Sequence, residues 1–104
     1  MNQQYNLYIE LISKHNNNEM AYASSKFILF CEQLSKNKNI SIIPTQIDFA
    51  RKVNENFVLN MAFDVAYDSS CNQQVLDEIK NCLKTIKQKY LVDEIKVIKE
   101  KKWK

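Results

Sequence analysis

The stretch that most constrains the fold is residues 56–68, where large apolar side chains recur at every second position. A period of two over this length indicates a β-strand with one face in a core, because a helix would scatter the same side chains around its circumference. The apolar members of the pattern are Phe57, Leu59, Met61, Phe63, Val65 and Tyr67. We therefore predict a central strand here, with its odd-numbered side chains facing the core.

Three further segments are predicted as strands. Residues 5–12 alternate in the same way as the central strand. Residues 40–53 contain Pro44, which cannot donate a ladder hydrogen bond and therefore indicates an edge strand. Residues 93–99 carry apolar side chains among charged ones, as a second edge strand does. The chain has no glycine, so we expect the hairpin turn at residues 54–56 to use Asn for its left-handed backbone conformation.

Two segments have the apolar spacing of a helix. The first covers residues 17–35. The second begins at residues 69–70, where Ser70 and Gln73 fit a Ser-x-x-Gln capping box. Its apolar stripe consists of Val75, Leu76, Ile79, Cys82, Leu83, Ile86 and Tyr90.

The predicted elements follow the order strand, helix, strand, strand, helix, strand. Right-handed crossovers turn this order into two interleaved split βαβ units. We therefore predict an α+β fold, a ferredoxin-like β-α-β-β-α-β sandwich. Its four-stranded antiparallel sheet has the order 4-1-3-2, with both helices on one face. At 104 residues, the chain is expected to form a single domain over residues 1–104.

Composition narrows the function. A net charge of +3 is far below that of a dedicated nucleic-acid binder, and the lack of glycine excludes a Gly-rich phosphate loop. Residues 1–15 lack a signal-peptide pattern, and no apolar run approaches the roughly 20 residues that span a bilayer. With three cysteines, we expect free thiols in a reducing cytoplasm and no membrane association. We predict no cofactor, no metal site and no catalytic residue.

The leading functional prediction is a small non-enzymatic protein-binding module that acts as an inhibitor, adaptor or regulatory subunit, or that pairs with itself as a homodimer. Tyr22 and Leu29 lie nearly opposite the buried stripe of the first helix, although scattered surface apolar residues are also ordinary. Tyr8 is expected on the open sheet face. Trp103 stands among lysines and is expected either to anchor an interface or to fold back over the core. The size and glycine-free composition suit a protein derived from a phage or mobile element.

Two alternatives to a protein-binding module are also considered. A nucleic-acid-binding protein would use the basic side of the second helix and the Lys-rich end. A ligand-binding protein or enzyme would need a pocket between sheet and helices, which the apolar core positions disfavour. The lysines of the nucleic-acid alternative are Lys80, Lys84, Lys87, Lys101 and Lys102.

Overall fold

The computed structural model describes residues 1–14 and 17–102 of the chain. The elements are strand β1 (Gln3–Ser13), helix α1 (Asn17–Leu34), strands β2 (Ile40–Ile47), β3 (Arg51–Val53) and β4 (Asn56–Tyr67), helix α2 (Asn72–Lys89) and strand β5 (Glu94–Lys101). A short 3₁₀ turn at Ser69–Cys71 precedes α2. None of the described helices is long and apolar enough to cross a membrane.

The predicted α+β class is confirmed, with an antiparallel sheet and two helices. The predicted sheet had four strands in the order 4-1-3-2, whereas the sheet has five. Its order is β2-β4-β1-β5, and β3 also pairs with β4.

The difference arises in residues 40–53, which we predicted to be one strand and which form β2 and β3. The register of β2 on β4 shifts between Pro44 and Gln46, because proline has no N–H for the ladder. Residues 48–50 then leave the regular ladder before β3 begins, although the Asp48 N–H still donates to the Asn60 carbonyl at 3.0 Å.

One face of the sheet and both helices share a single core. The odd-numbered side chains from Tyr5 to Ser13 of β1 and from Leu59 to Tyr67 of β4 are buried, as the alternation predicts. They pack with apolar residues of both helices, and the Phe27 and Phe63 rings meet in a T-shaped arrangement with a centroid distance of 5.3 Å. The buried helix residues of this core are Met20, Ala23, Phe27, Cys31, Val75, Ile79, Leu83 and Ile86. Val58 departs from the alternation, because it is buried although its side chain belongs to the opposite, open face, where Arg51 of β3 pairs with it.

Residues other than glycine adopt the left-handed backbone conformations at a hairpin turn and at the end of α2. Asn54 adopts the predicted left-handed conformation, with a φ of 56°, in the turn between β3 and β4. Leu91 does the same after α2, with a φ of 55°. There the Val92 N–H donates to the Lys87 carbonyl at 3.1 Å, which is the 6→1 hydrogen bond of a Schellman motif.

The predicted capping box at the start of α2 is wrong. The 3₁₀ turn occupies Ser69–Cys71, so the helix begins at Asn72 and Ser70 lies outside its first turn. Gln73 instead donates from Nε2 to Oδ1 of Asp77 at 2.9 Å. The Cys71 N–H donates to the Asp68 carbonyl at 2.8 Å, which holds the turn that displaced the helix start.

Candidate functional site

Helix α2 does not fully cover strand β5, and the gap between them is a groove. Ile95, Val97 and Lys99 pair with Leu11, Ile9 and Leu7 of β1, so they point to the helix-covered side of the sheet. Val97 nevertheless keeps 44% of its surface exposed. The groove has a volume of about 530 Å³. Its lining, called the basic groove below, is Leu76, Ile79, Lys80, Leu83, Lys84, Lys87, Ile95, Val97 and Lys99.

The basic groove has an apolar floor and a positive rim. The floor is the part of the α2 stripe nearest β5, together with the two apolar side chains of β5. On the rim, Lys80, Lys84 and Lys87 follow one another at helical spacings of four and three, which keeps them along one side of α2. Alternation along β5 brings Lys99 to the same side of the sheet.

The rim lysines form no salt bridge with the acidic side chains of the described residues. All four are exposed. The Lys99 Nζ lies 5.5 Å from the centre of the Tyr5 ring, a cation–π contact that fixes its stem but leaves its charge. The groove therefore combines apolar surface with positive charge that no salt bridge within the described residues engages.

Strand β5 is also one edge of the sheet. It pairs with β1 on one side, and in the described part of the chain no strand lies along its other side. The backbone N–H and C=O groups on that side are the ones that a further strand could bind. The opposite edge, β2, is interrupted by Pro44 and by its register shift.

The structure gathers only part of the predicted basic set. Lys80, Lys84 and Lys87 line the basic groove, as their spacing suggested. Lys101 pairs with Tyr5, on the same side of β5 as Lys99 but beyond the groove lining. Lys102 turns to the open face, where its Nζ bonds to Oδ1 of Asp64 at 2.9 Å. The five predicted lysines therefore do not form one continuous surface.

The predicted partner-binding residues are also dispersed. Tyr22 is 62% exposed and Leu29 is 46% exposed on the outer side of α1, as expected. Tyr8 lies on the open sheet face, with the whole sheet between it and α1. The three cannot contact one compact partner patch together. Trp103 lies outside the described residues.

The open sheet face carries a shallower depression of about 300 Å³. Tyr8, Ala62 and Ile98 form an apolar row across three strands at this place. Beside it, the Asn60 amide, turned with its nitrogen toward Glu10, donates to Oε2 at 3.0 Å. The amide oxygen then accepts from Nη1 and Nη2 of Arg51 at 3.1 and 3.2 Å. These polar groups satisfy one another across β1, β4 and β3.

Burial favours the neutral form of two thiols, Cys31 and Cys82. Burial raises the pKa of the Cys31 thiol to about 12, with a smaller contribution from Cys82, and burial raises the pKa of Cys82 to about 11. All three cysteines are free thiols, and Cys71 is buried at the start of α2. Among the described residues, no three His, Cys, Asp or Glu side chains lie close enough together to hold a metal ion.

The basic groove is the feature that our reading of the sequence missed. The sequence places three of its lysines on α2 and the α2 part of its floor on the apolar stripe of that helix, but it leaves Ile95 and Val97 as apolar residues among charges on an edge strand. The signal was present in β5, where Ile95, Val97 and Lys99 alternate on the side that faces the helices. What the periodicity could not give is how far α2 lies from β5.

The sequence matches no known family and no curated protein. Among solved structures, the chain resembles part of AtUAH, solved in complex with glyoxylate, with a TM-score of 0.73 and 14% identity over 95% of this chain and 27% of that one. It also resembles part of the Bacillus subtilis YXEP protein, a dinuclear metal binding peptidase from the M20 family. There the TM-score is 0.66 and the identity 15%, over 95% of this chain and 26% of that one.

A third similar structure is the de novo designed protein Foldit4, with a TM-score of 0.62 and 10% identity over 97% of this chain and 100% of that one. The chain spans about a quarter of the length of the two natural proteins. At these identities, the likeness shows the fold alone, and a shared fold does not carry a shared activity.

Proposed function

We propose that this ferredoxin-like domain is a non-enzymatic protein-binding module that docks its partner in the basic groove, as an inhibitor, adaptor or regulatory subunit. The observation that carries the proposal is the groove itself, with its apolar floor and four rim lysines that form no salt bridge among the described residues. Apolar surface enclosed by polar residues is typical of protein interaction sites. The free thiols fit a reducing cytoplasm as the place where the module acts.

The groove offers both components of a specific interface. Covering the floor removes Val97 and its apolar neighbours from water, which supplies affinity. The lysine stems extend the apolar surface, while their ammonium groups remain available to carboxylates of a partner. Opposite charges on that partner would orient it and speed its association.

Nucleic acid is the second candidate, because the line of Lys80, Lys84 and Lys87 could also meet phosphates. The apolar floor does not favour this alternative, since a phosphate backbone gains nothing from covering Val97. Among the described residues, no aromatic ring lines the groove to stack on a base. A binding affinity that falls steeply with salt and is insensitive to the floor would favour nucleic acid.

A ligand-binding or enzymatic role has less support. Large side chains fill the space between sheet and helices, and Phe27, Phe63 and Leu7 are almost fully buried. The depression around Tyr8 is open and shallow, and its polar groups already bind one another.

The test compares two neighbouring substitutions on β5. Proteins captured from the native host are purified and titrated against wild type, Val97→Glu and Ile98→Glu. Both side chains are exposed on the same edge strand, but Val97 lies in the basic groove and Ile98 lies on the open face. We expect Val97→Glu to weaken binding at least about tenfold, the equivalent of 1.4 kcal/mol, and Ile98→Glu to change it little.

A charge pair completes this test. Lys84→Glu reverses a rim charge, whereas Lys52→Glu makes the same change of net charge on β3, which β1 and β4 separate from β5. Only Lys84→Glu should weaken the binding of a protein partner. Equal affinity for the Val97 and Ile98 variants would exclude the groove as the docking surface. If light scattering shows that the wild-type protein is a homodimer and that Val97→Glu is a monomer, a second copy of the chain is the occupant of the groove.

A further inference from the structure

Building on the proposed function, we propose that the partner enters as an extended, acidic segment that adds to the sheet along the outer edge of β5. The geometry of that edge, the sign of the charges beside it and the state of the opposite edge each support this mode of binding.

The edge geometry favours a strand over a helix. Strand β5 is eight residues long and regularly paired with β1 on its inner side, so its outer side has the spacing of an intact ladder. A strand added there lies about 4.8 Å farther out and continues the sheet. Its alternate side chains then point to the same side as Ile95 and Val97, and extend the floor of the basic groove.

The charges select what kind of strand can bind. Within residues 1–14 and 17–102, every charged side chain that lines the basic groove is a lysine. A second copy pairing through its own β5 would bring the same lysines against these, which is unfavourable. Carboxylates at alternate positions, on either side of one or two apolar residues, would instead meet Lys80, Lys84, Lys87 and Lys99.

The lysines would also limit nonspecific pairing at this edge. Charged residues on an edge strand discourage pairing with arbitrary chains. Here they would reject neutral and basic strands and admit acidic ones, which is discrimination by an unfavourable contact. The other edge cannot serve in the same way, because Pro44 removes a donor from β2 and the register shifts beside it.

The experiment begins with a displayed library of random peptides of about ten residues, which is the upper end of the usual range of strand lengths, selected on the wild-type protein. We expect the selected peptides to be rich in Asp and Glu, with apolar residues at alternate positions. Val97→Glu should abolish their binding and Ile98→Glu should not. Selection of basic peptides, or of none, would overturn the proposal.

Backbone methylation then separates a strand from any other bound form. A selected peptide is made in two forms, with N-methyl groups either on its odd or on its even residues. In an added strand only one set of N–H groups faces β5. We therefore expect one form to bind like the parent and the other at least about tenfold more weakly.

The outcomes distinguish this inference from the proposed function. If both methylated forms bind alike, or both fail, the peptide does not pair with β5, although sensitivity to Val97→Glu would still place it in the groove. If Val97→Glu leaves all selected peptides unaffected, the groove is not the site and both proposals fail. In an NMR titration of the protein with a selected peptide, chemical-shift changes confined to the backbone amides of β5 and α2 would support both proposals.

Discussion

At the scale of single residues, Cys31 shows what complete burial does to a thiol. It lies on the core side of α1 with no exposed surface, and burial is the main reason that its pKa rises to about 12. The neutral thiol is thus strongly favoured in the folded state, whereas the unfolded chain ionises at the ordinary value near 9. Two protonation equilibria that differ in this way link stability to pH.

We expect this linkage to destabilise the protein in alkali. Between pH 9 and 12 the unfolded chain releases the Cys31 proton while the folded chain keeps it, so stability is present below pH 9 and is lost as pH rises. The loss is about 1.4 kcal/mol per pH unit for one such group. Cys31→Ala should show a shallower decline than wild type when the free energy of unfolding is measured by urea titration under reducing conditions. Parallel curves for the two proteins would contradict this assignment.

At the scale of elements, the C-terminal end of α2 carries a strained residue. Leu91 occupies the left-handed position of the Schellman motif, where glycine is usual. This conformation costs a residue with a Cβ atom about 1–2 kcal/mol. Because Leu91 is largely exposed, burial of its side chain offsets little of that cost.

We therefore expect Leu91→Gly to stabilise the protein by about 0.5–1 kcal/mol, after the greater flexibility of glycine in the unfolded chain is subtracted. Lys89→Gly is the matched control, because Lys89 is exposed in the last turn of the regular helix, where glycine costs about 1 kcal/mol. Urea unfolding of both variants checks the prediction. A loss of stability in both would show that the left-handed position is not strained.

The elements also show what the sequence could and could not predict. The alternation in β1 and β4 and the stripe of α2 were sufficient for the antiparallel sheet, the two helices and the core, because burial on one face imposes those periods. Pro44 identified the edge strand but not its division, because the register shift depends on how β2 meets β4. The capping box at Ser70 failed because the same residues fit a 3₁₀ turn equally well.

The basic groove was beyond prediction for a different reason. The alternation of Ile95, Val97 and Lys99 indicates which side of the sheet each occupies, and the spacing of Lys80, Lys84 and Lys87 indicates one side of a helix. Whether these two surfaces touch depends on where α2 crosses the sheet. That position follows from packing over the whole core, which no local pattern contains.

At the scale of the whole molecule, one core joins every large element. Phe27 of α1 is 1% exposed and packs against Phe63 at the centre of the sheet, whereas Phe49 is 94% exposed in the segment between β2 and β3. The same amino acid therefore occupies the two extremes of burial in one chain, which makes a matched pair for measuring what the core contributes.

We expect Phe27→Ala to lower the free energy of unfolding by about 3–5 kcal/mol, from the lost burial and the cavity left behind. Phe49→Ala should change it by less than about 0.5 kcal/mol. Circular dichroism and tyrosine fluorescence, followed through urea unfolding, should give one coincident transition, because both helices depend on the same core. Similar losses for the two variants, or separate transitions, would contradict a single shared core.

The inequality of the two sheet edges has a consequence for assembly. Endless edge-to-edge growth of a sheet requires each copy to offer two receptive borders, one to accept a neighbour and one to be accepted. Here β5 is intact and β2 is interrupted by Pro44 and the register shift. A chain that captures a strand at β5 therefore acts as a terminus for sheet growth, and the complexes it forms should be finite in size.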